Sequence, residues 1–123
     1  MKTWIMAGAA LACLAVVFGA FGAHGLKSRV TPEMLAVFET GVRYHFYHAL
    51  GLIIIGVMGF HLPESQLQFP ALLMSTGILI FSGTLYVLVL TGQKWLGAVT
   101  PIGGLMLIVS WLLLVYNMWK DSV

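Results

Sequence analysis

Four apolar runs, each long enough to cross a bilayer, leave this chain few choices of fold. They cover residues 4–23, 44–60, 70–90 and 101–119, and none holds an Asp, Glu, Lys or Arg near its middle. About 20 predominantly apolar residues in a helix reach across the hydrocarbon core. In lipid every backbone polar group must be bonded within the protein, so runs of this kind become helices. Composition agrees: 60% of the residues are hydrophobic and 8% charged, where soluble domains carry roughly 25% charged residues. The sequence therefore predicts an all-α integral membrane bundle of four transmembrane helices. It forms a single domain over residues 1–123, multi-pass in the cytoplasmic membrane.

The first run follows Lys2 and has small residues near Ala20 and Gly22. A basic start and small residues are also features of a signal peptide. With three further runs behind it, the segment is read as a true first span. Its glycines from Gly19 to Gly25 loosen the helix and permit positive φ and a tight exit. The lone cysteine, Cys13, excludes an internal disulfide and is read as a small packed residue.

Thr31-Pro32-Glu33 is a helix start: Thr as N-cap, Pro at the first position, Glu against the positive end of the dipole. Met34, Leu35, Phe38 and Val42 then share one face, with Glu33, Glu39, Thr40 and Arg43 largely opposite. Residues 32–43 are thus expected to form a short amphipathic helix between the first and second spans. Pro63 marks the next turn, the third span is expected from Phe69 or Pro70, and Pro101 marks the start of the fourth. Lys27, Arg29, Arg43 and Lys94 fall on the side away from the termini, against Lys2 and Lys120 beside them. The balance leans to external termini without fixing the orientation.

The polar residues concentrate at the mouth of the second run. Glu39 and Arg43 are spaced i, i+4 with the acid first, and Thr40 with Tyr44, then Tyr44 with His48, repeat that spacing. His24, at the exit of the first run, could join them. His24, Glu39, Thr40, Arg43, Tyr44 and His48 are therefore the candidate polar cluster. Its expected centre is a hydrogen bond from His48 to His24, Tyr44 or a carbonyl near Gly22, because a buried polar group needs a partner. His45 and His48 also invite a metal reading, but a closed zinc site takes four ligands and no cysteine is at hand. No metal, haem or other cofactor is expected.

Small residues supply the other signal. Gly8, Ala12, Ala15, Gly19 and Gly22 repeat at four and three, which places them on one helix face. Helices in lipid associate through such close backbone approach. Ser82 and Gly83 in the third run, and Gly103 and Gly104 at the start of the fourth, are read the same way. A hydroxyl at Ser82 can bond a helical carbonyl or cross to a neighbour.

Four stretches together carry a resemblance. They are Gly19-Ala20-Phe21-Gly22-Ala23-His24, Thr40-Gly41 followed by Tyr44 and His48, Phe81-Ser82-Gly83-Thr84-Leu85-Tyr86, and Thr100-Pro101-Ile102-Gly103-Gly104. In this order they resemble the YgdD/YwdK-like small membrane proteins, a domain of unknown function numbered four-two-three. The resemblance covers nearly the whole chain. It implies a four-helix protein of bacterial cytoplasmic membranes and no settled activity. Arg43 and His45 fall at variable positions of the motif.

The net charge of +2 gives no basis for nucleic-acid binding. No nucleotide loop, cysteine pair or catalytic constellation is present. The chain is expected to be non-enzymatic: an interaction, assembly or lipid-binding component of the membrane. Its expected partners are membrane lipids, other membrane proteins or a second copy. The alternative is a small oligomeric carrier or channel for a polar solute or proton, using the His24, Arg43 and His48 region. An embedded carboxylate, the usual handle for ion-coupled transport, is absent from every run.

Overall fold

Each apolar run is helical in the computed structural model, which describes residues 1–122. Helix α1 spans Lys2–Phe21, α2 Pro32–Met58, α3 Glu64–Thr91 and α4 Thr100–Ser122. A π turn, Gly22–Leu26, extends α1, and a 3₁₀ turn, Lys94–Ala98, leads into α4. No strand occurs among the described residues. Among the described residues three segments are long and apolar enough to cross a membrane: Lys2–Leu26, Glu64–Thr91 and Lys94–Lys120. Helix α2 matches them in length, but Glu33, Glu39, Arg43, His45 and His48 dilute its first half.

Successive helices run antiparallel and pack in a row, α1 on α2, α2 on α3 and α3 on α4. One end of the bundle gathers Met1, the α2–α3 connection and the end of α4. The other gathers the π turn, the α1–α2 connection and the 3₁₀ turn. Leu52, Ile55, Leu67, Ala71, Met74, Ile78, Leu107 and Leu114 fill the core toward the first end. Leu26, Phe38, Leu88 and Val89 fill a smaller core toward the second. Lys27, Arg29, Arg43 and Lys94 make that second end the basic one.

The stretch expected as a separate amphipathic helix is the first part of α2. Thr31 Oγ1 accepts from the Met34 amide at 3.2 Å and Pro32 occupies the first turn. Nothing after that stops the helix before Gly59, since the next proline is Pro63. Residues 32–43 therefore run straight into the bundle, with Phe38 buried and Glu39 exposed.

Three further points differ from the sequence reading. The glycines leaving α1 keep ordinary right-handed angles: Gly22 has φ −59° and ψ −43°, and among the described residues only Gly92 has positive φ, at 74°. The chain leaves through a wider π turn, with Gly22 seated against the Phe38 ring. Cys13 is exposed on α1 and does not pack. Helix α3 begins at Glu64, so Pro70 lies inside it. A proline there withholds the amide that would bond the carbonyl four residues earlier. That carbonyl belongs to Gln66, and Asn117 Nδ2 of α4 donates to it at 2.8 Å. Ser110 Oγ of α4 donates to the Pro70 carbonyl at 2.7 Å. The break is thus mended from the neighbouring helix, a relief that lets proline persist in a transmembrane helix.

The small-residue face of α1 meets α2. A Cβ on Gly8 would stand 2.6 Å from the Ala49 carbonyl oxygen and 2.7 Å from the Ile53 side chain. Ala15 and Gly22 are buried, and Ala12 is half-buried. Gly19 is looser, with only a Val42 methyl at 3.4 Å. On α4, Gly103 lies against the α3 backbone so closely that a Cβ would overlap the Phe81 amide nitrogen. A Cβ on Gly104 would stand 3.4 Å from the Phe81 ring. Gly83, expected to admit a close neighbour, borders open space: nothing lies within 4 Å of its Cβ position.

Candidate functional site

The spacing of Thr40, Tyr44 and His48 stacks them on one face of α2, and the fold turns that face toward α3 and α4. With Phe81 of α3 and Gly104, Leu107, Ile108 and Trp111 of α4 they line a cleft of about 460 Å³ that is open on one side. Glycine at 104 keeps α4 thin beside the Phe81 ring. Tyr44 packs on Phe81 with ring centroids 5.0 Å apart and lies nearly parallel to His48 at 6.2 Å.

His48 closes the inner end. Its Nδ1 is 2.7 Å from the Tyr44 carbonyl oxygen, and Trp111 Nε1 donates to its Nε2 at 2.9 Å. A carbonyl only accepts and an indole N–H only donates. Together they fix the neutral imidazole with its proton on Nδ1. Both ring nitrogens are occupied, so His24 has no place beside it; His24 is exposed on the π turn. The indole partner comes from α4, and sequence spacing gave no hint of it.

At the basic end of the cleft, Thr40 Oγ1 donates to the Ala36 carbonyl at 3.0 Å and accepts from Arg43 Nη2 at 3.3 Å. The Arg43 guanidinium therefore reaches back one turn, toward the start of α2. Glu39, its expected partner, is exposed. Arg43 also lines a second groove of about 290 Å³ between α1 and α2, with Ala15, Val16, Gly19, Val42, Phe46 and Tyr47. Tyr44 is 42% exposed. Its hydroxyl makes no hydrogen bond to the described residues and is free to meet whatever enters the cleft.

His45 points elsewhere. It is buried, and its Nδ1 lies 2.8 Å from the Tyr86 hydroxyl of α3. Its Nε2 is buried against α1 near Leu11 without a well-formed hydrogen bond. Ser82 Oγ, on the same side of α3, donates to the Gly41 carbonyl of α2 at 2.7 Å. Farther along, Thr84 Oγ1 and Thr100 Oγ1 are 2.6 Å apart and tie α3 to α4. These bonds join helices in lipid, where side-chain hydrogen bonds add to close packing. His45 and His48 thus diverge, one to α3 and one to α4. Among the described residues no three His, Cys, Asp or Glu side chains gather as a metal site would need.

Comparison with known proteins places the chain. The model of a family described as a protein of unknown function, DUF423, matches residues 18–104. This chain belongs to that family. The matched segment contains His24, all of the Thr40-to-His48 ladder, the Phe81-to-Tyr86 stretch and Gly103-Gly104. The chain is 46% identical over 116 residues to the UPF0382 membrane protein YwdK of Bacillus subtilis, covering 94% of both chains. It is 43% identical over 120 residues to the UPF0382 membrane protein SH2409 of Staphylococcus haemolyticus, covering 98% of both. No solved structure matches. The chain is accordingly a membrane protein of a family without an assigned activity. Trp111, which completes the cleft, lies beyond the matched segment.

Proposed function

We propose that this DUF423 chain is a non-enzymatic, lipid-binding component of the cytoplasmic membrane. The observation that carries the reading is the lateral cleft between α2, α3 and α4. It combines apolar and aromatic walls with one free hydroxyl, Tyr44, which is the make-up of a site for an amphiphile. Its volume, about 460 Å³, holds roughly fifteen water-sized groups, the scale of one acyl chain. Spans built from helices rather than barrel strands support the cytoplasmic membrane as its home.

The carrier alternative needs His24, Arg43 and His48 in one path. In this fold no single path joins them: His24 is exposed on the end turn, Arg43 lies at the surface between the α1–α2 groove and Thr40, and both ring nitrogens of His48 are taken up by Tyr44 and Trp111. Association with a second copy or another membrane protein would use the outer faces of α1 and α4, and the same experiment reads it.

That experiment is native mass spectrometry of protein released from mild detergent. The expected result is a monomer or oligomer carrying bound phospholipid. Ile108→Trp, at an exposed position lining the cleft, should reduce the lipid-bound fraction several-fold. Leu105→Trp, exposed on α4 but outside the cleft, should leave it unchanged. A wild-type protein with no retained lipid, or equal retention in both variants, would remove the cleft as the binding site.

A further inference from the structure

We infer that the cleft selects a phospholipid with an anionic headgroup, and that Arg43 recognises its phosphate. The inference rests on the lipid-binding reading and adds the ligand's charge and the residue that reads it. Sequence spacing offers no arginine near Gly103-Gly104 to complete an anion site. The fold brings one to the rim of the cleft: Arg43 lines the neighbouring α1–α2 groove and reaches the cleft through Thr40. Thr40 and Gly104 line the same cleft, and the Arg43 guanidinium is bonded to Thr40. Guanidinium carries five N–H donors in a planar fork. One is used on Thr40 Oγ1, and those that remain suit the two-point grip that arginine makes on phosphate.

Depth agrees with this role. Arg43 immediately precedes the apolar run 44–60, at the boundary where a transmembrane segment meets the headgroups. Its side chain turns back toward the basic end, as a long cation does when it reaches for the headgroup level. Tyr44, one position on, lines the cleft and is partly exposed, and its hydroxyl can donate to a glycerol ester. Leu107, Ile108, Phe81 and Trp111 line the cleft around the acyl chain. Charge complementarity at this end favours an anion: Lys27, Arg29, Arg43 and Lys94 outnumber Glu33 and Glu39. A phosphate that arrives on a lipid brings its own chain, so the cleft and the guanidinium serve one molecule.

The test compares phosphatidylglycerol with phosphatidylcholine of identical acyl chains, titrated into detergent-solubilised protein and read by native mass spectrometry. The wild type should retain phosphatidylglycerol at least fivefold more than phosphatidylcholine. Arg43→Gln should bring that ratio to within twofold of unity, chiefly by loss of phosphatidylglycerol; phosphatidylcholine, whose choline cation offsets its phosphate charge, should change less. Arg43→Lys, which keeps the charge and loses the fork, should fall between. Ile108→Trp should lower both lipids together. An unchanged preference in Arg43→Gln, or one abolished only by Lys27→Gln with Arg29→Gln, would overturn the assignment to Arg43 and leave lipid binding standing. Retention of neither lipid by the wild type would remove the lipid reading itself.

Discussion

Two hydrogen bonds decide which nitrogen of His48 carries the proton, and each can be removed alone. Trp111→Phe keeps the ring packing but withdraws the donor to Nε2, at 2.9 Å in the native protein. A buried acceptor left without its partner costs about 1–3 kcal/mol. The expected outcome is a lower unfolding temperature in detergent. His48→Ala should cost more because it also opens a cavity beside Trp111. In the double variant the two losses should fall short of their sum. Strict additivity would mean that the two rings do not interact. Ser82→Ala is the simpler case. It removes the 2.7 Å bond to the Gly41 carbonyl, and thermal unfolding should register a loss of about 1 kcal/mol.

Between elements, Pro70 and Asn117 form a coupled pair. The carbonyl of Gln66 lacks its usual amide because residue 70 is proline, and α4 supplies the replacement. Asn117→Leu should destabilise the protein by about 1–3 kcal/mol. In a Pro70→Ala background the amide returns, and the same change should cost clearly less. Equal costs in both backgrounds would show that Asn117 stabilises the fold by some other route. The small-residue face of α1 makes a graded prediction. Gly8→Ala should destabilise by about 1–3 kcal/mol through overpacking against Ala49 and Ile53. Gly19→Ala has room and should be neutral or stabilising by up to about 1 kcal/mol. Unfolding temperatures of the two variants, side by side, check the ranking. Regular spacing marked both glycines alike; only the approach of α2 separates them.

Across the whole molecule the charges fall unequally on the two ends. Lys27, Arg29, Arg43 and Lys94 lie toward one, Lys2 and Lys120 toward the other. Positively charged connections stay in the cytoplasm, so the basic end is expected inside and both termini outside. Single cysteines in a Cys13→Ala background report this. Ser65→Cys, on an exposed residue at the terminal end, should react with a membrane-impermeant thiol reagent on intact cells. Ser28→Cys, exposed at the basic end, should react only after permeabilisation. The reverse pattern would invert the topology and turn Arg43 and the basic end toward the outer leaflet.

Apolar length and the exclusion of charge from each run determined the helices, because lipid tolerates no unbonded backbone. The i, i+4 ladder of Thr40, Tyr44 and His48 was equally legible, because helical periodicity alone puts those residues on one face. Which neighbour that face meets was not. His48 finds Trp111 and Gln66 finds Asn117, pairs separated by 63 and 51 positions in the chain. Nothing local encodes such a meeting. The same holds for Pro70: the apolar run places the start of the third span at Phe69 or Pro70, and a proline inside the helix would leave a carbonyl unbonded. Only with α4 in place does that carbonyl have a donor. Tertiary packing therefore decided where α3 begins, which histidine closes the cleft, and that Arg43 turns to Thr40 at its rim.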